Sequence, residues 1–409
     1  MTKTPDSVTS RSRCFVYIVF LWGMKDFVLF MYFLFLCSCS LEQIGHGPRS
    51  DADGVWRGPS YGKHMSGTLY AVAMDYPDGY DWRADLGSGP VDGLCIVMFA
   101  DGAPVLKIPV GNLYETDSDP QRLRIRSGHL YTDYTDGMET VIKRDGEEIQ
   151  RYDAVEEIVD LQVLDGAIHT LCRPVSDAGF VYRVDGKETV FRENGTLFGG
   201  LRVYDNSVRF CFSNQSAYYK VMDGKVTKVD LQQDVLEVAD MCVIEDGVCL
   251  LAYLAGFSGP VLMNDGTRKS VDYFGFIDVA SCKFMMTDSL CIRVRNSHPG
   301  LGKTTDILWF GDDKWVIPQF FSRLASVWVD KSGWYAVSNQ TEDSQGMIFS
   351  NGKEYELPAD LYVYGDGCVV SRDTTLYVGL TSGKGRSPVI WKDGTLDTLD
   401  VNGPLICLR

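Results

Sequence analysis

Residues 159–191 read VDLQVLDGAIHTLCRPVSDAGFVYRVDGKETVF and contain four short runs rich in apolar residues, separated by two Asp-Gly turns and one longer loop. Apolar and β-branched residues predict strands at Val159–Leu164, Ala167–Cys172, Phe180–Val184 and Lys187–Phe191. Asp-Gly favours a two-residue type I′ turn, which joins antiparallel strands. This stretch therefore predicts a unit of four antiparallel strands.

The second Asp-Gly turn of this unit recurs at intervals of roughly 42 residues, which is a period typical of repeat architectures. The equivalent turns are Asp101-Gly102, Asp145-Gly146, Asp185-Gly186, Asp223-Gly224, Asp265-Gly266, Asn351-Gly352 and Asp393-Gly394, with Asp312-Asp313 in the remaining slot. The first turns of the units align at Pro77-Asp78-Gly79, Ser127-Gly128, Asp165-Gly166, Asp205-Asn206, Glu245-Asp246-Gly247, Thr287-Asp288-Ser289, Asp330-Lys331-Ser332-Gly333 and Arg372-Asp373-Thr374.

These repeats predict an all-β fold, a β-propeller of four-stranded blades over residues 67–409. Eight hairpins favour eight blades, although one irregular unit would leave seven. The final run Pro404–Leu408 could supply the innermost strand of the first blade and close the ring. A stack of solenoid repeats is the main alternative architecture.

The N-terminus has the pattern of a targeting segment. From Met24 the chain has a short charged region, an apolar run and then Leu36-Cys37-Ser38-Cys39. This pattern resembles a bacterial lipoprotein signal, which implies removal of residues 1–38, a true start at Met24 and lipidation of Cys39. Residues 39–66 would then be a tether between the lipid and the fold. An uncleaved anchor over residues 14–36 is the alternative, but Lys25 would lie within the membrane.

The strand-turn pattern of the units, as in Val389-Ile390-Trp391-Lys392-Asp393-Gly394, resembles that of uncharacterised β-propeller lipoproteins from gut-dwelling Gram-negative anaerobes. The resemblance covers residues 67–402 and lacks the WD40 and kelch signatures. It implies a lipid-anchored propeller in the cell envelope, with the outer membrane as the expected location, and it implies no activity.

The charge of the chain excludes some classes of partner. The whole chain carries 39 basic and 55 acidic residues, a net charge of −16. Removal of residues 1–38 would take away 4 basic and 2 acidic residues. The remaining chain would have 35 basic and 53 acidic residues, a net charge of −18. We therefore expect no nucleic-acid partner, because phosphates require a basic surface. Attachment to a membrane would come from the acyl chains on Cys39.

Cysteines and histidines show no pattern of a metal or cofactor site. Beyond Cys39, nine cysteines lie mostly in apolar runs, and none forms a CxxC motif. We expect them to pack as small hydrophobic residues, with disulfide formation left open. His169 is expected to be a packed strand residue. The loop Gly300–Thr304 lacks the first glycine of a phosphate-binding loop, so we expect no nucleotide.

Loop lengths indicate which face of the propeller binds a ligand. The first and second hairpin turns of each unit lie on one face, and the longer connections lie on the other face. Those connections are longest at Asp85–Gly93, Asn296–Asp306, Asn339–Gly346 and Thr381–Ser387. The candidate ligand-binding residues in and beside them are Lys303, Lys384, Arg386, Phe320 and Phe321.

The sequence therefore favours a non-enzymatic, monomeric envelope lipoprotein that binds a glycan, a peptide or a partner protein. Solvated roles in turns account for most of the aspartates. The alternative is a propeller glycoside hydrolase or polysaccharide lyase with acidic residues in the central funnel, because such chemistry uses paired carboxylates.

Overall fold

The computed structural model describes residues 55–57, 67–82, 91–109, 123–175, 179–192, 194–214, 217–244, 247–257, 259–264, 267–271, 277–286, 290–298, 303–310, 313–317, 324–330, 333–339, 346–350, 353–364, 368–372, 374–382 and 387–409. Within these ranges no residue is helical, so none belongs to a helix that could cross a bilayer. The predicted signal segment and Cys39 lie outside the described residues.

The described strands form eight antiparallel sheets, numbered here in chain order. Sheets 1 to 4 contain β1 (Trp56–Arg57), β2 (Tyr70–Asp75), β3 (Cys95–Ala100), β4 (Ala103–Pro109); β5 (Leu123–Arg126), β6 (His129–Asp136), β7 (Glu139–Arg144), β8 (Glu147–Tyr152); β9 (Glu156–Leu164), β10 (Ala167–Pro174), β11 (Phe180–Val184), β12 (Lys187–Arg192); and β13 (Gly195–Tyr204), β14 (Ser207–Asn214), β15 (Ala217–Met222), β16 (Lys225–Val229). Each of sheets 2 to 4 matches one repeat of the sequence.

Sheets 5 to 8 contain β17 (Val235–Ile244), β18 (Gly247–Leu254), β19 (Pro260–Asn264), β20 (Thr267–Ser270); β21 (Ile277–Met286), β22 (Leu290–His298), β23 (Lys303–Phe310), β24 (Asp313–Ile317); β25 (Leu324–Asp330), β26 (Gly333–Ser338), β27 (Met347–Ser350), β28 (Lys353–Glu356); and β29 (Leu361–Tyr362), β30 (Val369–Arg372), β31 (Thr375–Ser382), β32 (Val389–Lys392), β33 (Thr395–Thr398). A last strand, β34 (Leu405–Leu408), joins sheet 1.

The predicted hairpins of sheets 2 to 8 are confirmed, with one shift at the second hairpin of sheet 6. Phe310 pairs with Asp313, which is therefore the first residue of β24 and not part of the turn. The sequence assignment of Asp312-Asp313 to the turn was wrong by one position, because two adjacent aspartates give no sign of which one begins the strand.

Sheet 1 is completed by the C-terminal strand, as the run Pro404–Leu408 predicted. Strand β34 pairs with β2, and the sheet has the order β1-β4-β3-β2-β34. The turn at Pro77-Asp78-Gly79 consequently lies in the connection from β2 to β3, and its assignment as the first hairpin of the unit was wrong. The reason is that the first strand of this sheet is supplied from the other end of the chain.

Strand β1 extends sheet 1 at its outer edge. Trp56 and Arg57 pair with Lys107 and Leu106 of β4, and the Arg57 guanidinium forms an ion pair with Glu147 of sheet 2 at 2.6 Å. These residues belong to the segment expected to be a tether. At least this part of the segment is bound to the folded domain.

Hydrophobic packing connects the sheets in a cycle. Separate clusters of buried side chains join each sheet to the next in chain order from sheet 1 to sheet 7. One further cluster joins sheets 7, 8 and 1, with Leu405 of β34 fully buried in it. Four-stranded antiparallel sheets packed face to face in this cyclic order are those of a β-propeller.

Candidate ligand-binding face

One face of the domain, called here the turn face, is held together by the recurring aspartates. In the described Asp-Gly turns of the second hairpin of each unit, the carboxylate oxygen Oδ1 of the aspartate accepts a hydrogen bond from a backbone N–H near the start of a neighbouring strand. The pairs are Leu69–Asp101 at 2.8 Å, Leu130–Asp145 at 2.8 Å, Ile168–Asp185 at 2.9 Å, Val208–Asp223 at 2.9 Å and Leu376–Asp393 at 3.3 Å. The repeated aspartate is therefore a structural clamp between two strands.

Asp145 shows the clamp in its most buried form. Its backbone N–H donates to Leu130 O at 2.8 Å, and Oδ2 lies 2.5 Å from His129 Nδ1. The side chain is only 3% exposed. Its φ of 55°, followed by 87° at Gly146, matches the type I′ turn. The interpretation of the turn aspartates as merely solvated was wrong for this residue.

The opposite face, called here the loop face, carries the longer connections. The connections of sheets 2 to 5 are short, as at 137–138 and 215–216. Longer ones occur at 76–94 in sheet 1, 339–346 in sheet 7 and 383–388 in sheet 8, with another at 110–122 between sheets 1 and 2. Among the connections within a sheet, the three longest thus belong to consecutive sheets, as the sequence predicted for sheets 7, 8 and 1.

The long loop predicted for sheet 6 is shorter than expected. Strand β22 continues to His298 and β23 begins at Lys303, which pairs with His298. The polar residues Asn296–Asp306 had suggested a loop, but backbone pairing between strands requires no apolar side chains. Lys303 is therefore the first residue of a strand.

The other predicted site residues, Lys384, Arg386, Phe320 and Phe321, lie outside the described residues. The described part of the loop face contains a different feature, which loop length alone did not predict. It is a cluster of four aromatic side chains, Tyr76, Tyr80 and Trp82 from sheet 1 and Tyr364 from sheet 8. A dense run of aromatics at 76–82 was the available signal.

The aromatic cluster joins the connections of sheets 8 and 1. Tyr76 stacks on Tyr80 with ring centroids 5.3 Å apart and on Trp82 at 6.2 Å. Trp82 meets Tyr364 edge to face at 6.2 Å. Tyr76 and Trp82 are buried, whereas Tyr80 and Tyr364 are half-buried. Burial and the neighbouring phenols raise the pKa of Tyr76 to about 12, so its hydroxyl is neutral at physiological pH.

Asn402 fastens the start of the connection 76–94. Its backbone N–H donates to Asp75 Oδ1 at 3.0 Å, and its side-chain amide donates to Tyr76 O at 3.3 Å and Pro77 O at 3.1 Å. Lys107 Nζ donates to the other oxygen of Asp75 at 2.8 Å. The segment that leads into β34 thereby fixes the base of this loop.

Asn339 makes a similar link between sheets 7 and 8. Its amide donates to Val363 O at 2.9 Å, and Val363 N–H donates to Asn339 Oδ1 at 2.7 Å. Val363 adjoins Tyr364 of the aromatic cluster. The connections of sheets 7, 8 and 1 are therefore tied into one continuous rim, called here the clasped rim.

Carboxylates on the first strands of the sheets bear on the enzymatic alternative. Asp240 accepts hydrogen bonds from the N–H groups of Met241 at 2.9 Å and Phe284 at 2.7 Å. Asp160 accepts from Leu161 N–H at 2.7 Å and lies 3.4 Å from the Arg126 guanidinium. The contacts with Phe284 and Arg126 join strands of neighbouring sheets, which is a structural role.

Comparison with known proteins gives likenesses in fold. No protein-family model and no curated protein matches the chain. Similar solved structures include the dihydro-heme d1 dehydrogenase NirN, with a TM-score of 0.43, 11% identity and coverage of 89% of this chain and 82% of that one. The β-propeller domain of the Trilobed protease from Pyrococcus furiosus has a TM-score of 0.42, 9% identity and coverage of 83% and 97%.

A quinonprotein alcohol dehydrogenase-like protein from Bacteroides thetaiotaomicron has a TM-score of 0.31, 10% identity and coverage of 84% and 88%. These values are too low to support any argument about activity. The assignment of fold rests on the pairing and packing of this chain's own strands. The chain is an all-β protein with the β-propeller fold.

Proposed function

We propose that this protein is a non-enzymatic binding or scaffold protein of the bacterial envelope, and that its ligand binds on the loop face. The ligand class is a glycan, a peptide or a partner envelope protein. The observation that carries the proposal is the clasped rim, in which Asn339 and Asn402 fix connections from three consecutive sheets. Recognition sites commonly occur on loops positioned by a rigid scaffold.

The turn face offers a contrast that supports this choice of face. Its turns are two residues long in most sheets, and the aspartates of the described second hairpins accept the hydrogen bonds of the clamps. The loop face has connections of very different lengths, and long surface loops cost little in stability. We expect long loops on only one face when that face binds a ligand.

Within the loop face, we propose that Lys303, Lys384 and Arg386 meet an anionic group of the ligand, beside Phe320 and Phe321. The chain has a net charge of −16, so a local group of basic residues would stand out electrostatically. A guanidinium can bind a carboxylate through two parallel hydrogen bonds. The aromatic cluster at Tyr80 and Tyr364 would extend the same surface.

A pair of triple variants tests the choice of face. Lys303, Lys384 and Arg386 are replaced by Ser in one protein. In the control, Lys187, Lys225 and Lys353 are replaced by Ser; each is exposed and follows a hairpin on the turn face. Binding is measured by titration with a glycan that carries uronic acids, chosen from an array screen of the wild-type protein.

We expect the loop-face variant to bind at least about tenfold more weakly and the control to bind like the wild type, since a charge-assisted contact contributes about 1.5–3 kcal/mol. Wild-type binding should also weaken with added salt. Loss of binding only in the turn-face variant would show that the wrong face was chosen.

We also propose that Cys39 carries the lipid that holds the protein in the envelope, with the outer membrane as the expected location. The support is the lipobox-like sequence ending at Cys39 and the cluster of apolar residues before it. The alternative function, polysaccharide cleavage, would require acidic residues in the central funnel; Asp160 and Asp240 lie on the first strands of their sheets, although both make structural contacts there. Cleavage of a polysaccharide by the wild type that is abolished in D160N or D240N, with folding intact, would favour that alternative.

A further inference from the structure

Two cysteines of sheet 5 lie directly opposite each other. Cys242 of β17 pairs with Cys249 of β18 in the hairpin closed by the pair Ile244–Gly247. Both side chains are buried, at 4% and 0% exposure, and both belong to the same hydrophobic cluster. Among the described cysteines, no other two occupy opposite positions on paired strands.

The spacing of this pair fits a covalent link. Residues directly opposite on antiparallel strands have Cα atoms about 4.5 to 5.5 Å apart. Disulfides span Cα separations of about 4.4 to 6.8 Å. Because both side chains lie in one cluster, they point to the same side of the sheet. The two sulfurs can therefore meet without a shift in strand register.

We infer that Cys242 and Cys249 form a cross-strand disulfide when the chain folds in an oxidising environment. The reaction is an exchange with a small-molecule disulfide such as oxidised glutathione. The thiolate of one cysteine attacks the glutathione S–S bond and releases one glutathione thiol. The second cysteine then attacks the mixed disulfide and releases another. The pair loses two electrons and two protons in total, and both glutathione sulfurs are reduced.

The timing of this reaction follows from the surroundings of the two thiols. In the folded protein, the mutual hydrogen bond and burial raise the pKa of Cys242, and only the thiolate is reactive. The pair should therefore react slowly once sheet 5 is packed. During folding the hairpin forms locally while the thiols are still accessible. Oxidation should thus occur in folding chains and be slow in folded ones. The inference does not depend on the proposed ligand-binding function.

Mapping of peptides tests the inference on the full chain in detergent. Reduced, unfolded protein is refolded in a glutathione redox buffer, remaining thiols are alkylated, and the chain is cut between Cys242 and Cys249 at Glu245 or Asp246. We expect the two peptides to be recovered mainly as one linked species that separates on reduction. Folded, reduced protein placed in the same buffer should give at least about tenfold less linked species in the same time.

Matched variants identify the pair. C242S and C249S should each lose the linked species, whereas C211S, which changes a buried cysteine of sheet 4 opposite Phe198 and Lys220, should retain it. Recovery of both peptides as alkylated thiols after oxidative refolding would overturn the inference. So would a map in which Cys242 or Cys249 is mainly linked to a different cysteine.

Discussion

The recurring aspartate forms a turn and also clamps a neighbouring strand, and only the turn could be predicted from the sequence. Its occurrence before glycine predicted the turn, because both residues adopt positive φ. The clamp was not predictable in the same way, since it depends on a backbone N–H that lies on another strand. At Asp145 that N–H belongs to Leu130, which is distant in sequence and adjacent only after the sheet has formed.

Removal of the clamp should destabilise the domain. We expect D145A to lower the free energy of unfolding by about 1–3 kcal/mol more than D205A, because it leaves the buried N–H of Leu130 without its acceptor. Asp205 is an exposed turn residue with φ of 48° that makes no clamp. D205A therefore controls for placing alanine in the left-handed region of φ. Urea unfolding measures both values. Equal losses in the two variants would show that the clamp contributes nothing.

His169 should make stability depend on pH. It stacks on Tyr182, whose hydroxyl lies 2.7 Å from Nδ1, and burial lowers the pKa of this histidine. The unfolded chain then binds more protons than the folded chain, so stability falls as the pH drops through the unfolded value of about 6.5.

We therefore expect the melting temperature of the wild type to fall more between pH 7.5 and pH 5.5, on the order of a few degrees, than that of H169Q. Thermal melts at the two pH values provide the measurement. A larger drop in H169Q than in the wild type would contradict the assignment, since the substitution removes the titrating group.

The strands were predicted best in sheets whose four strands follow one another in the sequence. Sheet 3 has the four strands expected from residues 159–191, with both Asp-Gly turns in place. The prediction failed where strands come from elsewhere or are interrupted. In sheet 8, β29 and β30 both pair with β31 and are separated by residues 363–368. The pattern of apolar runs does not show that two short segments share one partner.

The C-terminal strand provides a test at the scale of strands. Leu405 of β34 is fully buried among side chains from sheets 7, 8 and 1. We expect L405A to destabilise the domain by about 2–5 kcal/mol, as for other leucines truncated in a core. L396A changes a leucine of β33 that is 46% exposed, and it should stay within about 0.5 kcal/mol. Urea titration distinguishes the two, and near-equal values would argue that β34 is not part of the core.

At the scale of the whole molecule, the candidate site was predicted less well than the fold. Loop lengths predicted correctly that sheets 7, 8 and 1 carry the longest connections within a sheet, and the choice of the loop face for ligand binding stays a prediction. They did not show that Asn339 and Asn402 fasten these loops, because each bond joins residues from different connections. The aromatic side chains of Trp82 and Tyr364 likewise meet only when the last sheet packs against the first.

Attachment to the envelope gives the prediction for the intact protein. We expect C39A to accumulate unprocessed or to leave the membrane fraction, because the acyl chains would contribute about 0.8 kcal/mol per buried methylene. Fractionation with radiolabelled palmitate detects both outcomes. As a control, C95S changes a buried cysteine of the folded domain and should remain labelled. A C39A protein that starts at Met1 and stays in the membrane would support the uncleaved anchor over residues 14–36.

The pairing of β34 with β2 has a consequence for the order of events during biosynthesis. Strand β2 is made early, yet its neighbour in sheet 1 exists only after residues 405–408 have left the ribosome. Until then β2 presents unpaired N–H and C=O groups to any passing strand. An exported chain would therefore complete this sheet only after residues 405–408 had been translocated. A chain terminated before residue 405 would keep this edge of β2 open, which would expose it to aggregation or degradation.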